Sequence, residues 1–390
     1  MYPSLYYAVK DLLGADLPFL KMVQMFGFFV AIAFLISAYF WTKELKRKEA
    51  GGLLKVGSTK ILKGQKATTA ELITSGLIGF LVGYKLLYII FNFSAFTEDT
   101  QGFLLSTQGN FVGGLAIAAL SAYLKYREKE KTKLEKPVWV EETVHPYQLV
   151  GNMTLIAAFA GLTGAKIFHN LENWDTFVAD PMGALLSFDG LTMYGGLILA
   201  SIVLIWYGKK NGIPTPHLID SAAPSLMIGY AVGRIGCHLS GDGDWGINNT
   251  QPKPNWLSWA PDWVWSFDYP HNVVNDGVPL AGCMDEKYCN HLVPPVFPTP
   301  FYETLMCLFL FVILWKLRKK ITTPGVIFCV YLIFNGIERF FIEKIRVNTL
   351  YHINGFGFTQ AELISTILFI LGVIGIFYFR KLEKKKTVVG

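Results

Sequence analysis

A chain of 390 residues that is 52% hydrophobic and 16% charged, with mean hydropathy +0.37, does not behave as a soluble globular domain. Its apolar runs are long enough to cross a hydrocarbon core of about 30 Å. The net charge of +6 does not point to nucleic acid, because the basic residues gather in short blocks between apolar runs, where they anchor to anionic lipid headgroups.

In chain order, nine apolar segments predict spans near 22–42, 72–93, 109–125, 147–168, 190–207, 217–239, 301–317, 324–343 and 358–379. The run at 217–239 is the most interrupted, broken by Pro224 and several glycines. Lys and Arg fall in every second connection: eight in 43–68, six in 125–136, two in 208–216, four in 316–323 and five from Arg380 onward, 25 of the 35. By the positive-inside rule the amino terminus is expected outside and the carboxyl terminus in the cytoplasm. The first span starts late and no small-residue cleavage site follows it, so no cleavable signal is expected. The expected class is an all-α polytopic membrane helical bundle of about nine transmembrane helices, with residues 1–390 as a single integral membrane domain.

The chain also resembles itself at an offset of about 81 residues. Gly83-Tyr84-Lys85 aligns with Gly164-Ala165-Lys166, Phe96 with Phe177, and Gly113-Gly114-Leu115 with Gly195-Gly196-Leu197. This predicts a duplicated two-helix unit, 72–125 and 147–207. Only the second copy adds polar and aromatic residues, at His169 to Trp174 and at 189–194, so function is expected there.

Between spans six and seven, residues 247–300 form the one substantial extramembrane segment, rich in Pro, Asn and Trp. Trp256, Trp259, Trp263 and Trp265 suit either an interfacial anchor or a lid over a substrate peptide. Cys283 and Cys289 lie close together there, on the side where disulfides persist, and a loop-stapling bridge is expected. Cys237, Cys307 and Cys329 lie in or beside spans and are expected to be unpaired; no CxxC or His–Cys ligand spacing suggests a metal.

Two apolar helices carry arginine. Placing a guanidinium mid-bilayer costs roughly 2.5–3.5 kcal/mol on the lenient insertion scale, so each needs a compensating partner, and an anion such as phosphate is the natural one. Arg234 lies in GRIGCHLSGDGDWG (Gly233 to Gly246), where Gly241, Gly243 and Gly246 make a flexible turn carrying Asp242 and Asp244. An Arg–Asp pair neutralising the buried charge, or a calcium-like loop, is the structural alternative. Arg339 lies in the eighth span. Asn335, Arg339, Glu343 and, slightly further round, Arg346 share one face there, and such a stripe must face protein or water. The alternative is an Arg339–Glu343 pair that only joins helices.

These segments together resemble the prolipoprotein diacylglyceryl transferase family. GRIGCHLSGDGDWG looks like its glycine-arginine signature, and Leu191 to Leu197 is similar to its aromatic glycine-pair segment. Pro298 to Glu303 resembles its proline-to-Tyr-Glu helix start, Gly336 to Arg346 its late helix, and Thr359-Gln360 with Leu363 to Ser365 its last helix. The sequence departs from the family pattern at Tyr194, where histidine is common, at Cys237, where asparagine is common, and at Asn335, where tyrosine is common. Phe26 likewise stands where the family often has tyrosine, and one extra residue separates Asp242 from Gly246.

The resemblance implies a multi-pass enzyme of the bacterial plasma membrane. It would move the sn-1,2-diacylglyceryl group of phosphatidylglycerol to the lipobox cysteine of a prolipoprotein signal peptide and release glycerol phosphate. No cofactor, metal or nucleic acid is implied. Arg234, Arg339, Asp242, Glu343, Tyr194 and His238 are the implied catalytic candidates. Lys166, Gly195, Gly196, Cys237, Gly241, Asp244, Gly246, Tyr302, Asn335 and Arg346 are those for substrate binding. A lipid transporter and a phospholipid-binding paralogue with lost or altered catalysis are the competing expectations, the first weakened because the repeat covers only two helix pairs.

Overall fold

The computed structural model describes the chain except residues 94–95, 97–102, 104–105, 187–191, 284–286, 349–350, 354–355 and 390; Asp189 and Leu191 of the glycine-pair segment lie outside the described residues. The fold is predominantly helical, with three small two-stranded antiparallel sheets among the described residues. Two compact units divide it: Met1–Lys55, Pro146–Leu155 and Leu204–Gly390 make one, and Val56–His145 with Ile156–Val203 the other.

The first unit contains α1 (Leu5–Leu13), α2 (Met25–Ala50), α9 (Thr215–Ser240), α10 (Thr299–Leu317), α11 (Val326–Glu343) and α12 (Gln360–Val389), and between α9 and α10 the short pair β3 (Val278–Pro279) and β4 (Asn290–His291). Ala33, Met227, Ala231, Cys307, Leu314 and Ile327 form its core, drawn from α2, α9, α10 and α11. Where α9 begins, Asp220 accepts hydrogen bonds from Gly325 N (2.7 Å) and Phe328 N (2.9 Å), the free amides that open α11. That contact sets the level of the two helices. Arg234 lies fourteen residues beyond Asp220, and Arg339 fourteen beyond Gly325, about 21 Å along each axis, so the two arginines arrive at the same height. Running the other way, α10 starts beside them. Cys283 and Cys289 are bridged, as expected, and Cys237, Cys307 and Cys329 are free and buried.

The second unit contains α3 (Thr69–Phe91), α4 (Phe111–Lys131) and a sheet in which β1 (Gly57–Lys63) pairs antiparallel with β2 (Val138–Val144). Thr68 and Glu71 make a reciprocal capping box at the start of α3. Lys85 Nζ donates to the carbonyls of Phe103 (3.0 Å) and Gln108 (2.9 Å), so this half-buried residue holds its own loop. Most of α5 (Val150–Glu172), the short helices α6 (Trp174–Ala179) and α7 (Pro181–Leu186), and the first part of α8 (Met193–Lys210) also belong here.

Two expectations are corrected. Among the described residues five helices, not nine, are long and apolar enough to cross a membrane: Met25–Ala50, Thr69–Phe91, Pro146–Glu172, Thr299–Leu317 and Gln360–Lys385. The other four segments are helical but diluted by polar residues: the basic tail of α4, Lys209 and Lys210 of α8, Asp220, Pro224 and Arg234 of α9, and Glu338, Arg339 and Glu343 of α11. Nor, among the described residues, is a duplicated two-helix unit indicated. The segment 147–207 is divided between the two units and interrupted by α6 and α7, whereas 72–125 lies wholly in one. The matched glycines reflect a shared packing need. A Cβ at Gly83 would strike the Gly113 carbonyl and one at Gly164 the Gly195 carbonyl, the close backbone approach that small residues permit between membrane helices.

Candidate functional site

Two local features shape the loop after α9. Gly241 ends the helix in the left-handed region (φ 62°) while its N–H caps the Cys237 carbonyl. Gly246 then passes between two segments: its N–H bonds Phe297 O (2.9 Å), just before α10, and the next amide bonds Ile345 O (2.8 Å), just after α11. A Cβ there would strike the Ile345 carbonyl and lie 2.9 Å from both Phe297 Cβ and Thr299 Cγ2. The glycine thereby brings Arg346 opposite itself in an antiparallel bridge. Thr299, opening α10, donates to the Asp244 carbonyl at 2.9 Å and fixes the loop from the other side.

Three guanidiniums meet here on two carboxylates. Glu303, on the second turn of α10 and 0% exposed, contacts Arg234 Nε through Oε2, and its Oε1 lies 3.2 Å from Arg346 Nη1 and 3.9 Å from Arg339 Nη1. Asp244 contacts Arg234 Nη1 through Oδ2 and Arg346 Nη2 through Oδ1, the latter at 2.6 Å. Glu343 takes Arg339 Nη2 at 3.4 Å on one oxygen and Asn348 Nδ2 at 2.5 Å on the other. Tyr230, one turn before Arg234, donates to Glu303 Oε2 at 2.6 Å, and its ring lies under the Arg234 guanidinium at 5.4 Å.

Counted as charges, Arg234, Arg339 and Arg346 are balanced by Asp244, Glu303 and Glu343. Arg339 is the most accessible of the three, 22% exposed against 10% and 9% for Arg234 and Arg346. Arg346 Nε is buried without a hydrogen-bond partner among the described residues. Such a cluster can exchange carboxylate contacts for those of an incoming anion. In the loop, burial opposes ionisation of Asp244, but Arg234 and Arg346 outweigh it and hold its carboxyl at about 2. Burial, and then the charge of Asp244, pushes the Asp242 carboxyl above its ordinary range. Cys237 Sγ, Asp242 and Asp244 present ligand atoms within 4.8 Å of one another, a grouping able to hold a cation, yet both Asp244 oxygens are engaged by arginine.

Of the residues singled out from sequence, the structure brings together Arg234, Asp244, Arg339, Glu343 and Arg346, with Cys237 Sγ 3.6 Å from Arg234 Nη1 and Asp242 Oδ1 3.3 Å from the Asp244 amide. Gly241 and Gly246 shape the loop. Asn335 is half-buried one turn before Arg339. His238 lies elsewhere, its ring centroid 5.6–5.8 Å from those of Trp263, Phe267, Tyr269 and Phe301 and its Nδ1 3.1 Å from Tyr269 Oη. Tyr302 turns its hydroxyl to the Val264 carbonyl at 2.7 Å, tying the tryptophan-bearing loop to α10. Lys166, Tyr194, Gly195 and Gly196 belong to the second unit, where Gly195 and Gly196 serve the packing of α8 on α5.

Sequence reasoning passed over Glu303, Tyr230 and Glu338. Glu303 carried a usable signal, an acid in an otherwise apolar helix. Tyr230 stands one turn before Arg234 by the same i, i+4 spacing that groups Asn335 with Arg339. Glu338 is 3% exposed, and neither carboxyl oxygen has a hydrogen-bond partner among the described residues.

Comparison with known proteins adds an independent line. Residues 134–378 match the family described as prolipoprotein diacylglyceryl transferase. Proteins named phosphatidylglycerol–prolipoprotein diacylglyceryl transferase are similar to this chain. One from Dehalococcoides mccartyi is 27% identical over 241 residues, covering 61% of this chain and 80% of its own. One from Leptospira interrogans is 26% identical over 316 residues, covering 68% and 87%. One from Enterococcus faecalis is 26% identical over 281 residues, covering 69% and 88%.

Proposed function

Because the chain belongs to the prolipoprotein diacylglyceryl transferase family, we propose that it moves the sn-1,2-diacylglyceryl group of phosphatidylglycerol onto the lipobox cysteine of prolipoprotein signal peptides, releasing glycerol phosphate. The observation that carries this reading is the meeting of Arg234, from α9, with Arg339 and Arg346, from α11 and the turn after it, on Glu303 and Asp244.

The substrate thiol attacks the glycerol carbon that bears the phosphate ester. A C–S bond forms as the C–O bond breaks, and the electron pair leaves with glycerol phosphate. Charge therefore grows on the departing phosphate, where preoriented guanidiniums in a water-poor site are worth most. Arg339, the least buried, receives the phosphodiester first. Arg346 has a buried N–H free to join it. The thiol proton passes to Asp242, whose raised carboxyl range makes it a stronger base than an ordinary aspartate. Its next destination is the phosphate product or water. In this reading the site faces the outer side of the plasma membrane and the carboxyl terminus the cytoplasm, an orientation supported by the alternating blocks of Lys and Arg.

Lysine substitutions at Arg234 and Arg339 test the reading, since a point charge keeps the sign but loses the planar fork. Each is expected to lower kcat by about a hundredfold with the protein still folded, a loss of the kind seen when an oxyanion donor is removed. Unchanged turnover in both variants would remove the arginines from the chemistry.

A further inference from the structure

Glu303 is fully buried and serves three guanidiniums, which poses a problem for any anion arriving at the site. To bind phosphate, Arg234 must loosen from the carboxylate, and a buried carboxylate that loses its partner is costly. Tyr230 meets that need. Its hydroxyl already donates to Glu303 Oε2 at 2.6 Å, the same oxygen that Arg234 Nε touches, and its ring supports the guanidinium from below at 5.4 Å.

We propose that Tyr230 is a positioning residue: it keeps Glu303 satisfied while Arg234 turns to the phosphate, and its ring fixes the plane in which the guanidinium turns. The nearby hydroxyls are committed elsewhere. Tyr302 bonds the Val264 carbonyl, Tyr269 bonds His238, and Thr304 bonds the carbonyls of Pro300 and Ala231. The equivalent place under Arg339, one turn earlier on α11, holds Asn335 and no ring. The two arginines therefore differ: Arg234 has the Tyr230 ring beneath its guanidinium, while the more exposed Arg339 is held by Glu343 and, at longer range, Glu303.

The proposal rests on the transferase reading for its substrate, and the test separates the two. Full-length protein in lipid nanodiscs is compared as wild type, Tyr230→Phe, Tyr230→Leu and Thr304→Val. The last removes a buried hydroxyl from the same α9–α10 seam without touching a charged group. Binding of sn-glycerol 1-phosphate is measured by calorimetry, and kcat and KM are measured with phosphatidylglycerol and a lipobox peptide. Losing a hydrogen bond to a charged group predicts about tenfold weaker glycerol phosphate binding and about tenfold lower kcat in Tyr230→Phe. KM for the singly charged donor should stay within about twofold, because less charge draws on Arg234 before the bond breaks. Tyr230→Leu, which also lacks the ring, should raise KM as well, and Thr304→Val should match wild type. Tyr230→Phe that binds glycerol phosphate like wild type, a loss shared by Thr304→Val, or a wild type that does not bind the anion overturns the proposal. A wild type that binds the anion but does not transfer lipid defeats the transferase reading, and the binding comparison still decides the role of Tyr230.

Discussion

Replacing Glu303 with alanine removes the carboxylate that contacts all three guanidiniums. Asp244 and Glu343 remain, so three positive charges face two negative ones, and the deficit falls on Arg234 and Arg346, which are 10% and 9% exposed. Removing one partner from a buried ion pair costs about 3–5 kcal/mol, and the complete burial of Glu303 leaves little room for water to reduce that figure. Glutamine at 303 keeps the shape and one acceptor for Tyr230, so it should cost less than alanine. Unfolding free energies from titration with denaturing detergent should rank wild type above Glu303→Gln above Glu303→Ala. Inorganic phosphate should stabilise the alanine variant more than wild type, because it supplies the missing negative charge. An alanine variant within about 1 kcal/mol of wild type, with no added response to phosphate, would refute the view of Glu303 as the centre of the cluster.

Gly246→Ala places a methyl against the Ile345 carbonyl, Phe297 and Thr299, and should cost about 1–3 kcal/mol in the same titration while moving Arg346 enough to reduce transfer sharply. Glu338→Met replaces a buried carboxyl that lacks hydrogen-bond partners among the described residues, so the variant should be more stable than wild type by about 1–3 kcal/mol; a less stable variant would mean the carboxyl is satisfied. The raised carboxyl of Asp242 disfavours its own charged form in the folded protein. Asp242→Asn should therefore exceed wild type in stability at pH 7, and the difference should vanish as pH falls through the Asp242 range. Its role as base predicts that kcat falls off in acid above the ordinary aspartate range and that this limb disappears in the asparagine variant. Asp244 has the opposite sign: its carboxyl at about 2 gives stability that is complete above the ordinary value of 3.8 and is lost as pH falls toward 2, a dependence that Asp244→Asn should abolish.

The charged residues were the legible part of the site. Arginine inside an apolar helix demands a partner, so Arg234, Arg339 and the stripe through Glu343 and Arg346 could be read from spacing alone. Their shared height could not, because it depends on Asp220 capping α11, a contact between residues more than a hundred positions apart. His238 follows Arg234 by four residues and by helical geometry belongs on the same face, yet at the last turn of α9 the aromatic cluster of the 247–300 loop takes it. That loop has no periodicity to read. Nine spans are expected from the sequence where five helices qualify, because the apolar runs of α4, α8, α9 and α11 sit beside charged or helix-breaking residues that dilute them over a full membrane-crossing length. Paired glycines at equal spacing suggested a repeat, whereas close packing of two helices calls for the same residues without one.

The central claim is tested most directly by incubating purified protein in nanodiscs with phosphatidylglycerol labelled in its acyl chains and a lipobox peptide in cysteine and serine forms, and following label on the peptide. Transfer to the cysteine peptide, with equimolar release of glycerol phosphate and none to serine, is the predicted result. Well-folded protein that labels neither peptide, or labels both alike, would contradict a thiol diacylglyceryl transferase built on Arg234 and Arg339.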